Sequence, residues 1–320
     1  MVSALNEALR QEMERDKSVM ILGEDVGKDG GVFRVTDGLI DTFGENRVID
    51  TPLAEAGIVG TSIGLAVNGM KPVCEIQFSG FTYQAFHQIK QHMARFRQRS
   101  EGDFPLPMVV RAPSSGGIRA LEHHSESPEA FYAHCQGLKV VIPSGPKDAK
   151  GLLISAIRDP DPVIFLEPKK IYRSFKEEVP DESYTIPLGK AATVREGEHV
   201  SLITWGAMVH VCKEAAEKLE KQGIKAEIID LRTIHPMDTE AVMASVKKTH
   251  RAVIVHEAPG TAGFGGEVAS RIQEQCLLFM EAPVLRVTGY DVPFPQFALE
   301  NYYLPDAERV IEAVKKTMGY

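Results

Sequence analysis

Short apolar runs alternate with amphipathic stretches along the whole chain. The runs VMIL (19–22), MVVRA (108–112) and PVIFLEP (162–168) have the length and composition of buried strands. Parallel strands need crossover connections, usually helices, so this alternation is typical of an α/β protein with mainly parallel sheets. The chain has 320 residues, which corresponds to about two domains at roughly 150 residues each.

A polar stretch that is broken by proline interrupts the alternation at residues 169–187 (KKIYRSFKEEVPDESYTIP). Such a change of composition is typical of a domain boundary. We therefore predict one domain over residues 1–180 and a second, smaller parallel α/β domain over residues 188–320. The pattern also predicts several individual elements, namely a first helix capped by Ser3, helices over 53–67 and 82–97, and a hairpin over 191–205.

Composition and charge argue against several classes of function. The net charge is −8 and no large basic cluster is present, so nucleic acid is not expected as a partner. No apolar run reaches the roughly 18 residues of a membrane span, and the N-terminus does not have the features of a secretory signal or a transit peptide. The four cysteines are far apart and form no C-x-x-C pair, which predicts reduced thiols in a cytoplasmic protein. The expected location is the cytoplasm of a prokaryote.

The helix predicted over residues 53–67 is rich in glycine and alanine, and Glu55 is its only charged residue. Each glycine in a helix interior costs about 0.5–1 kcal/mol, so several together indicate that something packs very close to this helix. A glutamate in the first turn is favoured by the helix macrodipole, which alone would explain Glu55. A buried carboxylate also needs a partner, and no Lys or Arg lies within a turn. A second chain or a heteroaromatic ligand could supply that partner.

The loop LEHHSESPEAF holds a second candidate site, because His123 and His124 lie there beside Ser125 and Glu126. Histidine titrates near neutral pH and suits acid–base catalysis. Three interpretations remain open: exposed polar loop residues, zinc ligands, or a catalytic histidine above a parallel sheet, where such sheets carry their sites. The spacing matches neither H-E-x-x-H nor a cysteine–histidine zinc knuckle.

Both candidates lie in longer segments that resemble one family, the beta subunit of the thiamine-diphosphate-dependent decarboxylase component of 2-oxo acid dehydrogenase complexes. The resemblance implies two parallel-sheet α/β domains, a thiamine-diphosphate-binding (pyrimidine-binding) domain followed by a transketolase C-terminal-like domain. It runs nearly from end to end and rests on the segments ILGEDVG (21–27), DTPLAEAGIVG (50–60), HSESPEAFYAHCQGLKVVIPSGPKDAKGLL (124–153), SAIRDPDPVIFLEPK (155–169), ITWGAMV (203–209), DLRTIHPMD (230–238) and HEAPGTAGFGGEVA (256–269).

The resemblance implies roles for specific residues. Glu55 matches a glutamate that hydrogen-bonds the pyrimidine ring nitrogen of thiamine diphosphate and so promotes deprotonation of the thiazolium carbon. Leu53, Gln77 and Phe81 match positions that line the pyrimidine. His124 matches the active-site histidine, whose implied roles are proton transfer during acylation of the lipoyl dithiolane and orientation of the substrate carboxylate.

The resemblance also implies that this chain holds only half of the cofactor site. Thiamine-diphosphate enzymes bind magnesium through a G-D-G motif, and no G-D-G occurs here. The magnesium and the diphosphate would then be held by an alpha subunit in an α2β2 heterotetramer. A potassium site seen in relatives, built largely from backbone carbonyls, corresponds here to Met108, Ala156, Ile157, Asp159 and Asp161. Asp161 stands where relatives often have asparagine, and a solvated turn is an equally good interpretation.

The implied partners are the alpha subunit, a 2-oxo acid substrate and the dihydrolipoyl acyltransferase core, which would bind through its lipoyl and subunit-binding domains. Glu300 and Asp306 are candidates for docking of that core. The segment HSESPEAFYAHCQG slightly favours branched-chain 2-oxo acids over pyruvate. The alternatives are a complete transketolase-like enzyme, a non-catalytic assembly subunit of the same fold, and a zinc hydrolase built on Glu122, His123 and His124.

Overall fold

The computed structural model describes residues 1–320 as two mainly parallel sheets with helices packed against them. The apolar runs form the buried central strands, and the amphipathic stretches form the helices between them. None of the helices combines the length and apolar character that crossing a membrane requires. The four cysteines are all free and buried.

The first sheet has seven strands in the order β10-β5-β6-β4-β3-β1-β2, all parallel except β10, which is antiparallel to β5. Six of the seven come from the N-terminal half of the chain. The strands of this sheet are β1 (Val19–Gly23), β2 (Val48–Asp50), β3 (Lys71–Glu75), β4 (Val109–Ser114), β5 (Lys139–Val141), β6 (Val163–Pro168) and β10 (Thr233–His235).

The second sheet has five strands in the order β12-β11-β8-β9-β7, with only β7 antiparallel to its neighbour β9. Its strands are β7 (Ala192–Arg195), β8 (Val200–Thr204), β9 (Ala226–Asp230), β11 (Ala252–Pro259) and β12 (Leu285–Gly289). The fold class predicted from the sequence, two α/β domains with parallel sheets, is confirmed.

Eleven α-helices connect and cover the strands. They are α1 (Val2–Arg15), α2 (Leu39–Phe43), α3 (Glu55–Val67), α4 (Phe96–Arg99), α5 (Glu129–Ala133), α6 (Pro146–Arg158), α7 (Met208–Glu220), α8 (Thr239–Thr249), α9 (Phe264–Cys276), α10 (Glu300–Tyr303) and α11 (Ala307–Met318).

Three predicted details are wrong. Ser3 lies inside α1, which begins at Val2 without a side-chain cap. Residues 191–205 do not form a hairpin, because the fully buried β8 takes a central position and the more exposed β7 pairs with β9 at the edge. The helix predicted over 82–97 is a 3-10 turn (Ser79–Ala85), a π-helical turn (Gln88–Met93) and the short α4.

The departure from regular helix at residues 79–85 has a local cause. Gly80 lies against the loop that follows β4, and a Cβ there would overlap the carbonyl oxygen of His123. The Ser79 hydroxyl donates a hydrogen bond of 2.8 Å to the Glu126 carbonyl in the same loop. The backbone of residues 79–85 therefore packs along this loop instead of forming a regular helix. We call this segment the bridging turn (Ser79–Ala85).

An arginine that is completely buried joins three neighbouring strands of the first sheet. Arg111 on β4 donates through Nε and Nη2 to both carboxylate oxygens of Glu167 on β6, at 2.8 and 2.7 Å. Its Nη1 binds Glu75 on β3. The Tyr172 hydroxyl also donates to Glu167. Both carboxylates contact the same guanidinium, and such pairing is the condition for burying charges in a core.

Replacing Arg111 by alanine should destabilise the chain strongly. Two carboxylates would remain buried without a cation, and loss of one partner of a buried pair costs about 3–5 kcal/mol. Arg97→Ala is the matched control, because Arg97 pairs with Asp161 at the surface, where such pairs contribute about 0–1 kcal/mol. Urea unfolding followed by circular dichroism measures both, and equal losses of unfolding free energy would contradict the assigned role of Arg111.

Candidate active site

The predicted cofactor and catalytic residues lie at one edge of the first sheet, and Glu24, which was not predicted, lies there with them. Glu24 directly follows β1, Glu55 follows β2 by a short turn, Gln77 follows β3, and the loop with His124 follows β4. The carboxyl ends of parallel strands meet at the same edge, which is where open α/β sheets bind ligands. Residues distant in sequence are thus brought to one cleft edge by strand direction alone.

Glu55 is buried and is the first residue of α3. Glu55 is 3% exposed, and none of the chain's salt bridges involves the Glu55 carboxylate. The nearby ionisable group is another carboxylate, Glu24, whose pKa is raised by burial and by the charge of Glu55. No salt bridge of this chain engages the Glu55 carboxylate, which is therefore available to a partner from outside the chain.

The glycine-rich face of α3 is open. A Cβ at Gly64 would meet nothing within 4 Å, and one at Gly57 would meet only the Cβ of Ala54, at 3.6 Å. Leu53, just before the helix, is 75% exposed although it is apolar. At Gly57 and Gly64 the close neighbour predicted from the glycines is therefore not another element of this chain, whereas a Cβ at Gly60 would lie 3.9 Å from the Gln88 side chain.

His124 lies in an aromatic pocket. Its ring packs edge-on against Phe78, with centroids 4.4 Å apart, and against Phe81 at 5.2 Å. Burial lowers the pKa of His124, and the neighbouring His123 and Lys169 lower it further. The imidazole is therefore neutral at pH 7 and able to accept a proton. Its Nδ1 is buried and has no hydrogen-bond partner in the chain.

The bridging turn connects the two candidate residues. It packs against α3 on one side and against residues 122–124 on the other. Phe81, on this turn, contacts His124, whereas the Gln77 amide is engaged with Asp25 at 2.9 Å. The structure thus brings Glu55, Phe81 and His124 to one edge of the sheet, with Leu53 exposed beside them.

This set of residues fits the heteroaromatic half of thiamine diphosphate. A buried carboxylate without a protein partner can bind a ring nitrogen, and exposed or half-buried apolar side chains can cover the faces of a flat ring. The fit concerns the pyrimidine only. No group of three or more His, Cys, Asp and Glu side chains that could hold a metal ion occurs in the chain, so the zinc hydrolase has no ligand set here.

The residues of the predicted potassium site are occupied by other interactions. Lys139 donates to both carboxylate oxygens of Asp159, at 2.6 and 2.7 Å, and lies 3.4 Å from Asp161. Arg97 pairs with Asp161 as well. The Met108 and Ala156 carbonyls already accept backbone hydrogen bonds. Both carboxylates are neutralised by protein cations, so the structure gives no reason to place an ion there, and the potassium remains a prediction.

A second buried acid lies just beyond the His124 loop. Glu129, at the start of α5, accepts a hydrogen bond of 3.3 Å from the indole nitrogen of Trp205 in the C-terminal half. His256 stacks on the same indole, with centroids 5.2 Å apart and an interplanar angle of 9°. Burial raises the pKa of Glu129 to about 7 and lowers that of His256 to about 4. The contact between the two halves therefore contains an acid that titrates near neutral pH.

Sequence reasoning missed Glu24, Glu129, Lys169 and Glu257. A signal for Glu24 and Lys169 was available, because each directly follows a buried strand whose carboxyl end meets the site. No comparable signal exists for Glu129 and Glu257, since their position depends on how the two halves pack. Glu300, proposed for docking of an acyltransferase, is only 2% exposed and binds the backbone of Arg119, so it is not a docking residue.

Comparison with known proteins defines the class first. Residues 1–174 match the family model "Transketolase, pyrimidine binding domain", and residues 189–310 match "Transketolase, C-terminal domain". A solved structure described as "Split gene transketolase, inactive beta4 tetramer" superposes with a TM-score of 0.82. That match covers 99% of this chain and 97% of the other, at 23% identity, and shows that the fold is shared.

Relatives found by sequence are more similar to this chain than that structure is. The pyruvate dehydrogenase E1 component subunit beta of Bacillus subtilis is 51% identical over 320 residues, which covers 100% of this chain and 98% of the relative. The proteins of the same name from Staphylococcus epidermidis and Staphylococcus aureus show the same identity and coverage. The chain belongs to the beta subunits of the thiamine-diphosphate-dependent 2-oxo acid dehydrogenases, as the resemblance predicted.

The acid at the interface leads to a prediction about pH. The pKa of Glu129 in the folded chain, about 7, lies above its ordinary value near 4.5. The folded state therefore holds a proton that the unfolded state releases, and stability falls as pH rises from about 4.5 to 7. Glu129→Gln resembles the protonated form, so it should raise the melting temperature relative to wild type at pH 8 but not at pH 4.

The surface variant Glu45→Gln is the control and should show no such pH-dependent difference. Trp205 is the only tryptophan, so its fluorescence provides a second measurement. Wild-type emission should change with a midpoint near pH 7 that is absent in Glu129→Gln. If the midpoint persists in the variant, Glu129 is not the titrating group.

Proposed function

We propose that this chain is the beta subunit of a pyruvate dehydrogenase E1 component, which decarboxylates pyruvate and transfers the acetyl group to a lipoyl group of an acyltransferase. The relatives that are 51% identical over the whole chain carry this name. They do not support the preference for branched-chain 2-oxo acids predicted from the sequence. The observation that carries the proposal is Glu55, a buried acid without a protein partner at an open edge of the sheet.

Glu55 is proposed to bind the pyrimidine nitrogen of thiamine diphosphate. When bound, this cofactor supplies a nucleophilic carbon and accepts the electron pair that carbon dioxide leaves behind. Glu55 would hold a hydrogen bond at the ring nitrogen, and this bond would be strong once the alpha subunit shields the site from water. Leu53 and Phe81 would cover the ring, and Gln77, now bound to Asp25, is proposed to line the same site.

His124 is proposed to move the proton in the acylation step. A neutral imidazole can accept a proton, and the buried, unpartnered Nδ1 limits that exchange to the other ring nitrogen. When the dithiolane of the lipoyl group opens, the electron pair left by decarboxylation would break its S–S bond; one sulfur would take the acyl group, and the other, released as a thiolate, would become a thiol by taking the proton that the imidazole has accepted. Proton transfer at this step and orientation of the substrate carboxylate are the two roles we assign to His124.

The other half of the site is proposed to come from an alpha subunit in an α2β2 heterotetramer. The open face of α3 and the exposed Leu53 support this proposal, because both lie beside Glu55 and have no partner within the chain. The chain also lacks the G-D-G sequence and any carboxylate cluster for magnesium. Magnesium and the diphosphate would therefore be held by the alpha chain. The acyltransferase core is the proposed partner of the assembled enzyme.

The test is co-expression with the alpha subunit and assay of decarboxylation with ferricyanide as electron acceptor. Pyruvate should be preferred over 2-oxoisovalerate by at least about tenfold in kcat/KM, since small differences in an apolar pocket give about 10–200-fold. Glu55→Gln should lower kcat at least about 100-fold, because the charged acceptor for the ring nitrogen is lost. Size-exclusion chromatography should show intact assembly of the variant. Full activity of Glu55→Gln would refute the assigned role.

The two histidines of the loop provide a matched pair. His124→Ala should lower acetylation of a free lipoyl domain by about 10²–10⁴-fold, the usual contribution of acid–base catalysis. The ferricyanide assay, which bypasses the lipoyl group, should fall much less. His123→Ala, with an exposed side chain in the same loop, should retain both rates within about twofold. Equal losses in the two variants would contradict a specific role of His124.

A further inference from the structure

The loop that carries His124 makes contacts on two sides, one with the bridging turn and one with the C-terminal half of the chain. Residues 115–126 form a loop that begins at the end of β4. The Ser115 amide donates a hydrogen bond of 2.8 Å to the Glu126 carbonyl, which closes the loop at its base. The bridging turn holds residues 123–126 through Gly80 and Ser79. The other arm, residues 115–119, faces the C-terminal half of the chain.

The C-terminal half supplies two acceptors to that arm. Glu300, the first residue of α10, accepts from the Arg119 amide with both carboxylate oxygens, at 3.2 and 3.1 Å. Glu257, on β11, accepts from the Gly116 amide. Both glutamates are at most 5% exposed. From the N-terminal half, the ammonium of the buried Lys169 donates to the Ser115 carbonyl.

The backbone of this arm needs such support. Ser115, Gly117 and Arg119 all have positive φ, at 68°, 94° and 57°. For residues other than glycine this region costs about 1–3 kcal/mol, and it persists only where the surroundings enforce it. Gly116 is also pressed against the second half, because a Cβ there would lie 2.5 Å from a ring carbon of Phe294.

We propose that Glu300 and Glu257 are positioning residues that act on His124 through the backbone of the 115–126 loop, so that the C-terminal half sets the geometry of acyl transfer. Neither glutamate is hydrogen-bonded to His124, and the side-chain hydrogen bonds that they accept come from the near arm of its loop. This inference rests on the proposed role of His124. It assigns to the second half of the chain a function in the reaction itself, in addition to any part in assembly.

The experiment uses the assembled α/β complex and four variants, Glu300→Ala, Glu300→Gln, Glu257→Ala and a control. Glu300→Ala removes the acceptor, whereas Glu300→Gln keeps one acceptor oxygen in the same place. Glu227→Ala is the matched control, because Glu227 is a buried glutamate of the same half that binds Ser245 and Lys248 instead of the loop. Two quantities are measured: amide hydrogen exchange of the peptide spanning residues 115–123, and the ratio of lipoyl-domain acetylation to ferricyanide-coupled decarboxylation.

Glu300→Ala should speed exchange in the 115–123 peptide by about tenfold, which corresponds to loss of one hydrogen bond. It should lower the acetylation-to-decarboxylation ratio by about 10–100-fold, since a shift of about 1 Å in a catalytic group can cost 10²-fold. Glu300→Gln should recover most of both values, and Glu227→Ala should leave both at the wild-type level. Glu257→Ala should repeat the Glu300→Ala pattern.

Three results would overturn the inference: unchanged exchange in Glu300→Ala, faster exchange with an unchanged ratio, or an equal fall of both half-reactions. Each of these results can occur in a complex that decarboxylates a 2-oxo acid, so each tests this inference separately from the proposed function. If the wild-type complex decarboxylates no 2-oxo acid, the proposed function fails, while the exchange measurement still tests the contact between Glu300 and the loop.

Discussion

The ion group around Arg111 determines where the site can form. Its three members lie on β3, β4 and β6, and each carries a charge that is unfavourable in the core unless the other strands are in register. Parts of the site follow the ends of these strands directly. Gln77 follows β3, the loop with His124 follows β4, and Lys169 follows β6. A register shift in any one of them would displace a site residue and leave a charge unpaired.

The site residues nearest to the strand ends are therefore fixed in position, whereas the part of the site farther from the sheet is incomplete within this chain. Strand register fixes the positions of Glu24, Glu55 and Gln77, because these residues follow the strands closely. His124 lies farther from its strand, on a loop of twelve residues that depends on contacts from both halves of the chain. Glu55, the acid proposed to bind the pyrimidine, is positioned by the sheet, whereas His124, the group proposed for acyl transfer, is positioned by tertiary contacts. The two proposed roles thus depend on different parts of the fold.

The fold class and the candidate residues followed from local pattern and from resemblance. Alternating apolar and amphipathic stretches predict parallel sheets because both signals are local. A lone acid on an apolar, glycine-rich helix predicts burial, and Glu55 is buried. The irregular segment at 79–99 could not be predicted, because its amphipathic sequence also fits a helix and the contact of Gly80 with the 115–126 loop overrides it.

The remaining errors have the same physical origin. The strand order of the second sheet depends on which strands are buried on both faces, and sequence proximity favoured the wrong pairing of β7 with β8. The acidic side chain of Glu300 makes it a candidate for docking of the acyltransferase core, but its carboxylate accepts a hydrogen bond from a backbone amide 181 residues away. Contacts between distant segments leave no local signal in one sequence, and the site depends on several of them.

Strand β10 has one more consequence. It belongs to the C-terminal half in sequence, yet it completes the first sheet by pairing with β5. A fragment cut within the polar connection would expose to other chains the hydrogen-bonding edge of β5, whose two valines are buried. Unprotected edges of this kind promote aggregation. The two halves of this protein are consequently not independent modules for truncation or domain exchange, and a chimera would have to carry residues 233–235 together with the N-terminal half.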